Sequence, residues 1–408
     1  MSHANSLTAA ENTVTLPRDR RLRLLLSLAH MIQVGQIHLE LPDGSRHHVF
    51  KSASPAATMI IRDPRAVTRL VTGGSLGLAE AYLDGLWDSP AVHGVMQLAA
   101  ANDAEWEQML LGRPWIRLVS RIVHLLRPNT RRGAKRNIID HYDLGNAFYG
   151  AWLDRGMTYS SALFKAPDQS LEAAQAEKIH ALCRALGLAP GMRLLEIGCG
   201  WGSFAEVAAR DYGAEVVGLT LSPAQLEYAR ARMEAAGLSH MVELRLQDYR
   251  DVEGTFDRIA SIEMFEAVGE PYWPAYFNTL YARLRPGGLA GLQIITIADR
   301  LFSTYRRTAD FIQRHIFPGG MLACPTQLRA EIAAAGLGWR HDRWFGADYA
   351  ETLARWNAAF QTSWPTIKRL PGGFDPRFKR LWEYYLAYCE TGFRAGWTDV
   401  GQVILARP

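Results

Sequence analysis

Residues 194–202, Leu-Leu-Glu-Ile-Gly-Cys-Gly-Trp-Gly, constrain this chain more than any other stretch. A short apolar run ends in an acidic residue, and three glycines follow at alternate positions. A helical pattern begins at Ser203. The physical reading is a buried parallel strand that turns sharply into a helix. Glycine takes φ > 0 without steric cost and lets backbone approach a ligand closely. A lone run of this kind suits a nucleotide site or a turn that binds nothing, so the surrounding pattern must decide.

That pattern is an alternation of strand and helix. Strands are expected over 192–198, 215–221, 242–247, 256–262 and 289–297, and helices over 171–187, 203–212, 223–236 and 271–284. Such alternation implies a parallel sheet covered on both faces, with ligands at the carboxyl ends of its strands. Trp339–Trp344 and Gln402–Ala406 supply edge strands. A long insertion, about residues 298–330, is of the kind that shapes a substrate site. The glycine spacing is tighter than the dinucleotide Gly-x-Gly-x-x-Gly, and an acid precedes it. That form is usual where S-adenosylmethionine (SAM) is bound. The expected fold is α/β: a Rossmann-like class I SAM methyltransferase domain with a smaller N-terminal α+β domain.

The 408 residues are enough for two domains. Hydrophobic content of 48% against 21% charged describes a globular protein. No apolar run reaches the ~18 residues a membrane span needs, and Leu22–Ile32 is too short for a secretory signal. Four widely spaced cysteines, Cys183, Cys199, Cys324 and Cys389, argue against a disulfide framework or a metal site and favour a cytoplasmic protein. In the N-terminal part, a helix from Arg20, strands at 36–40, 48–50 and 58–61 with an Asp43-Gly44 turn, and helices over 64–71 and 78–87 are expected.

Charge is uneven. Residues 1–140 carry 17 Lys/Arg against 12 Asp/Glu, and eight of the basic residues lie between Arg113 and Arg136 with no acid among them. An amphipathic helix over 114–126 and a basic linker follow from this stretch. The boundaries read as 1–126, linker 127–138, and 139–408. An anionic lipid surface is the partner such a block suits, or else it is a solvated hinge. No helix-turn-helix, zinc finger or RNP motif points to nucleic acid.

Strand ends supply the candidate site. The second sheet strand ends at Thr220, with Gln225 just inside the next helix; no carboxylate stands there for the ribose, so Thr220 and Gln225 take that role. Asp248, after the third strand, suits an adenine amino group or a turn. The fourth strand runs into Glu263-Met264-Phe265-Glu266, and of its two acids Glu266 follows apolar residues and is the better functional candidate. In the fifth, Gln293 and Ile295 share one face.

At this point the sequence resembles the cyclopropane fatty acid synthases over about residues 35–408. The markers are Gly74 to Gly85, His141 to Asn146, Tyr159-Ser160, the Gly-rich run, Met264-Phe265-Glu266, Phe317 to Gly320 and Gly346 to Tyr349. The resemblance implies SAM-dependent methyl transfer to the cis double bond of an unsaturated phospholipid acyl chain, through a carbocation. It implies that Tyr159, Ser160, Glu196, Gly198 and Gly200 meet the methionine end of SAM. It also implies a bound bicarbonate as general base, with ligands at Ser161, Glu266, Gln293, the Ile295 backbone and Tyr349. Many members have cysteine where Ser161 stands and histidine where Gln293 stands. Cys389 matches a cysteine near the family's active site. Tyr142, Phe265, Tyr305 and Tyr349 are the aromatic candidates for holding the cation.

By the same resemblance the protein is expected at the inner face of the membrane, with a homodimer possible. The rival readings are a relative that leaves a methyl or methylene branch without closing a ring, a small-molecule N-methyltransferase, and a non-catalytic lipid-binding protein.

Overall fold

The computed structural model describes residues 17–102 and 144–408. The expectations for residues 1–16, the helix over 114–126, the linker 127–138, His141 and Tyr142 lie outside the described residues.

The chain opens with α1 (Arg20–His30), capped by the Asp19 carboxylate accepting from Arg21 N. A four-stranded sheet follows in the order β2 (Arg46–Phe50), β1 (Gln36–Glu40), β3 (Ala56–Ile61), β4 (Trp87–Asp88). The Asp43-Gly44 turn is present: Asp43 Oδ1 accepts from Ser45 N at 2.9 Å, and Gly44 has φ 83°. The two helices expected over 64–71 and 78–87 are one interrupted element, α2 (Arg65–Leu83), broken at Gly74 with φ 59° and ψ −142°. At Gly77 the returning turn lies so close to Arg69 that a Cβ would sit 2.1 Å from its carbonyl oxygen. The expected helix at 78–87 is too long: Gly85 turns the backbone with φ 71°, Leu86 N bonds back to Ala81 O at 2.9 Å, and Trp87 enters β4 instead. Helix α3 (Val92–Ala101) packs on β3.

The second sheet has seven strands in the order β10 (Gly338–Trp344), β11 (Thr398–Ala406), β9 (Leu284–Ile297), β8 (Phe256–Ile262), β5 (Arg193–Ile197), β6 (Glu215–Thr220), β7 (Val242–Leu246). Strands β5 to β9 are mutually parallel, while β11 runs antiparallel to β9 and β10 antiparallel to β11. Successive residues feed opposite layers. Leu194 and Val216 join the core under α5 (Leu171–Ala185), α6 (Ser203–Tyr212) and α7 (Pro223–Ala235). Leu195 and Val217 join the core on the other face, with α8 (Trp273–Arg283) and α11 (Pro325–Ala334). Burial on both faces is why these strands read as continuous apolar runs.

The insertion after β9 folds into α9 (Asp299–Tyr305) and α10 (Phe311–His315) before α11. Between β10 and β11 come two long helices, α12 (Gly346–Ile367) and α13 (Pro376–Arg394), which the strand-helix alternation did not foretell. They pack on each other, and their aromatic residues Trp356, Phe360 and Trp382 share one core with β1, β3 and α4 (Asn146–Gly150). Helix α13 also ties to the first sheet: Arg380 pairs with Asp88 at 3.1 Å, and Tyr82 donates to Glu383 at 3.2 Å.

Candidate active site

A cavity of about 510 Å³ opens at the carboxyl ends of β5, β6 and β8 and runs under α10 and α13. Its polar end is built by the turn from β5 into α6. Gly198, Gly200 and Gly202 have φ of 85°, 51° and 85°. A Cβ on Gly198 would meet Met264 Cγ at 2.9 Å, whereas one on Gly200 would project into open space. The turn is fixed by Gly198 N and Cys199 N, which both donate to Leu219 O at 3.0 and 2.8 Å. Trp201 Nε1 donates to Asn146 Oδ1 at 2.8 Å, so the segment before the sheet holds the loop from outside.

Tyr159, Ser160, Glu196, Gly198, Gly200, Thr220 and Gln225 all line this end. Thr220 Oγ1 donates to Gln225 Oε1 at 2.9 Å, which leaves the Gln225 amide as a donor beside a hydroxyl. Glu196 is buried with Oε2 lacking a hydrogen-bond partner among the described residues. Burial lifts its carboxyl to about 8, with the positive Lys178 pulling the other way. Asp248 stands apart. It accepts from Arg250 N and pairs with the Arg250 guanidinium at 2.6 Å, closing the turn at Tyr249–Asp251; its neighbours Gln247 and Tyr249 line the cavity and Asp248 does not.

The middle of the cavity holds two buried carboxylates. Glu266 Oε1 accepts from the Ile295 backbone N–H at 2.6 Å, and its Oε2 is buried without a partner among the described residues. Burial first, and then the charge of Glu263, push the Glu266 carboxyl up to about 8. Both effects favour its protonated form. Glu263, the acid that pattern reading passed over, is the better hydrogen-bonded of the two. Its Oε1 accepts from Ser161 N and Gln293 Nε2, each at 2.8 Å, and its Oε2 accepts from the Tyr349 hydroxyl at 2.6 Å. Burial raises its carboxyl, while these three donors and the Lys178 charge work against the rise. The two acids therefore differ in their surroundings: Glu263 accepts three hydrogen bonds, and Glu266 accepts one from the Ile295 backbone.

Glu263 reaches this position because it sits at φ 49°, a left-handed conformation that is uncommon for residues other than glycine. Its N–H is tied to Gln293 O at 2.8 Å. Gln293 lies beside Gln402 in the β9–β11 register, and Gln402 Nε2 donates to Gln293 Oε1 at 3.2 Å. That bond turns the Gln293 NH₂ toward Glu263. Ser161 and Gln293 are fully buried behind the cavity wall, and the Ser161 hydroxyl donates to Ala162 O at 3.0 Å. Ile295, Glu263, Glu266, Tyr349 and Cys389 do line the cavity. Burial pushes the Cys389 thiol up, so it is a neutral wall group.

Lys178 is the second group pattern reading missed. It is 1% exposed on the apolar stripe of α5 with Ala174, Ile179 and Leu182. Its Nζ donates to Ser160 Oγ at 2.6 Å, and Glu263, Asp154 and Glu196 all act on its charge. A lysine inside an apolar helical stripe was the available signal. For Glu263 the signal was a second acid three residues before Glu266 at a strand end.

The far end of the cavity is apolar and aromatic, with Tyr305, Phe317, Tyr349, Tyr385, Tyr388 and Phe393 in its wall. Phe265 is not among them; it is packed between Trp273, Tyr276 and Phe277 in the core. Among the described residues, no cluster of three or more His, Cys, Asp or Glu side chains can hold a metal ion, and no helix is long and apolar enough to cross a membrane.

A seven-stranded sheet of this order, with a Gly-rich turn at the end of its first parallel strand and an open side at Gly200, defines a class I SAM-dependent methyltransferase. The model for mycolic acid cyclopropane synthetases matches residues 129–403, and the chain belongs to that family of lipid methyltransferases. It is 39% identical over 378 residues to the tuberculostearic acid methyltransferase UfaA1 of Mycobacterium tuberculosis, covering 87% of this chain and 85% of that one. It is 35% identical to the cyclopropane-fatty-acyl-phospholipid synthase of Escherichia coli, covering 89% and 91%. The solved mycolic acid cyclopropane synthase CmaA1, complexed with SAH and CTAB, superposes with a TM-score of 0.63 at 32% identity and covers 67% of this chain and 98% of its own.

The residues fit SAM: open space at Gly200, a buried acid and a hydroxyl–amide pair converge on one end of the cavity. They do not fit a free bicarbonate. The Ser161 N–H, Gln293 NH₂ and Tyr349 hydroxyl are already bonded to Glu263, and the Ile295 N–H to Glu266.

Proposed function

We propose that this protein methylates the cis double bond of an unsaturated fatty-acyl chain carried by a phospholipid, with the cyclopropane ring as product. The observation that carries the reading is the continuity of one cavity, from the Gly-rich turn past two buried carboxylates to an aromatic, apolar end. Gly198 and Gly200, with Tyr159, Ser160 and Glu196, hold the methionine part of SAM, and Thr220 and Gln225 hold its ribose. Asp248 contributes by shaping the turn that carries Gln247 and Tyr249. Bound there, SAM supplies an electrophilic methyl group, the alkene π pair making the new C–C bond as the C–S pair stays on sulfur.

An alkene is a weak nucleophile, so the walls must align it and keep water out. Tyr305 and Tyr349 present ring faces to the cation left on the neighbouring carbon, an attraction worth ~2 kcal/mol when desolvated. Cys389 and Tyr388 form the apolar wall beside the chain. The division at 1–126 and 127–138 and the eight basic residues from Arg113 to Arg136 support a first domain and linker that rest on an anionic membrane. A second reading, a branched product without a ring, draws support from the 39% identity to a tuberculostearic acid methyltransferase.

The test is mass spectrometry and NMR of unsaturated phospholipid vesicles incubated with the purified protein and SAM. A gain of one methylene with cyclopropane ring protons is expected. An exocyclic methylene signal would select the second reading. SAM binding without any lipid change would overturn both.

A further inference from the structure

The donors around Glu263 are the ones the family resemblance assigns to a bicarbonate ion, and all of them serve a carboxylate of this chain. A carboxylate and a bicarbonate share a planar, anionic O–C–O edge with the same lone-pair directions. The Glu263 carboxylate takes two donors on Oε1 and, among the described residues, one on Oε2. One Oε2 lone pair remains, on a residue that lines the cavity. The same four-residue segment also places Glu266, whose Oε1 removes the Ile295 N–H from the donor set.

We propose that the Glu263 carboxylate occupies the seat of the bicarbonate and is itself the base of the reaction. The step rests on the proposed lipid methylation. A C–H bond of the transferred methyl group breaks, its proton goes to Glu263 Oε2, and its electron pair goes to the cationic acyl carbon. That pair closes the ring; in the branched product a 1,2-hydride shift first carries the cation to the methyl-bearing carbon, and the same C–H pair then makes the C=C bond. The proton leaves to water when the lipid departs. A covalently attached base needs no ion from solution, so turnover does not depend on dissolved CO₂. Burial, which raises the Glu263 carboxyl above its ordinary range, makes the attached carboxylate a stronger base than one in water.

Two variants separate the parts of the proposal. Glu263→Gln keeps the shape and removes the base. Glu263→Gly removes the carboxylate at a backbone position with φ 49°, which glycine adopts freely, and frees the three donors. The first measurement is a ¹³C NMR titration of labelled bicarbonate into the purified full chain. No saturable binding to the wild type, and saturable binding to Glu263→Gly, are expected. Saturable binding to the wild type would overturn the seat assignment.

The second measurement is SAH release from SAM with dioleoylphosphatidylglycerol vesicles in argon-purged, CO₂-free buffer. Wild-type turnover is expected to change by less than about twofold when bicarbonate is added. Glu263→Gln is expected to be slower by at least ~100-fold with SAM affinity retained, the size of a lost general base. Glu263→Gly should regain about tenfold or more on adding bicarbonate. Wild-type turnover that collapses without CO₂, or Glu263→Gln that keeps its rate, would overturn the base assignment. Wild type that turns over no unsaturated lipid in either buffer removes the lipid reading and the base role together, while the titration still decides who holds the seat. Should Glu263→Gly fail to fold, the wild-type titration and Glu263→Gln decide.

Discussion

The Tyr349 hydroxyl donates a 2.6 Å hydrogen bond to the Glu263 carboxylate, joining the first turn of α12 to the end of β8 across 86 residues of sequence. The Tyr349 ring is held independently of that bond, stacked on Phe393 at 4.5 Å between centroids.

Tyr349→Phe should therefore fold with the ring in place and lose only the hydrogen bond to a charged group. Such bonds contribute about 1.5–3 kcal/mol, so turnover should fall by about 10- to 150-fold. SAH release with unsaturated vesicles reads this, and SAM affinity from calorimetry should be unchanged. A loss of SAM affinity equal to the loss of rate would show that the bond shapes the cofactor end instead.

Glu266 makes stability fall with pH. Its carboxyl is raised from 4.5 to about 8 by burial, so the folded state binds the extra proton between those values. That contribution is complete below the unfolded value and is lost as pH rises through about 8, with a total on the order of a few kcal/mol. Glu266→Gln should melt with a flatter pH profile, gaining on the wild type steadily between pH 5 and 8. Parallel profiles would show that Glu266 is ionised in the folded protein.

Lys178→Met should destabilise the protein strongly. The lysine is buried among Glu196, Asp154 and Glu263, and without it all three carboxyls lose a cation that acts on them in common. Breaking a buried charge arrangement from one side costs about 3–5 kcal/mol. Urea unfolding should show the loss at pH 8 and recover part of it at pH 5, where the carboxyls take up protons.

Gly198→Ala should weaken SAM binding and stability together. The added methyl must take φ 85° and sits 2.9 Å from Met264 Cγ. A left-handed conformation alone costs ~1–2 kcal/mol for a residue with a Cβ. Calorimetric titration with SAH, beside a melting curve, would show both effects; a shift in melting with unchanged affinity would place the turn outside the cofactor end.

Much of this was legible from local pattern. Phe256–Ile262 is a strand at the expected bounds, and Ser203–Tyr212 a helix at the expected bounds, because apolar runs buried on both faces and a glycine-rich turn are local signals. Trp87 was not legible: its helix is ended by the φ of Gly85, and its strand exists only through pairing with Ile61. Glu263 hid for a related reason. Which of two acids faces the donors depends on a left-handed backbone angle and on Gln402, 139 residues away in the chain. The aromatic wall from α13 likewise depends on packing between α12, α13 and the first sheet.

The backbone angle at position 263 has an evolutionary meaning. Glutamate and glycine codons differ by a single nucleotide, and glycine adopts φ 49° more cheaply than glutamate does. One base change therefore removes the carboxylate and relaxes the main chain at the same time. Under the proposed base role, that single change would turn a reaction centre carrying its own carboxylate into one open to an anion from solution.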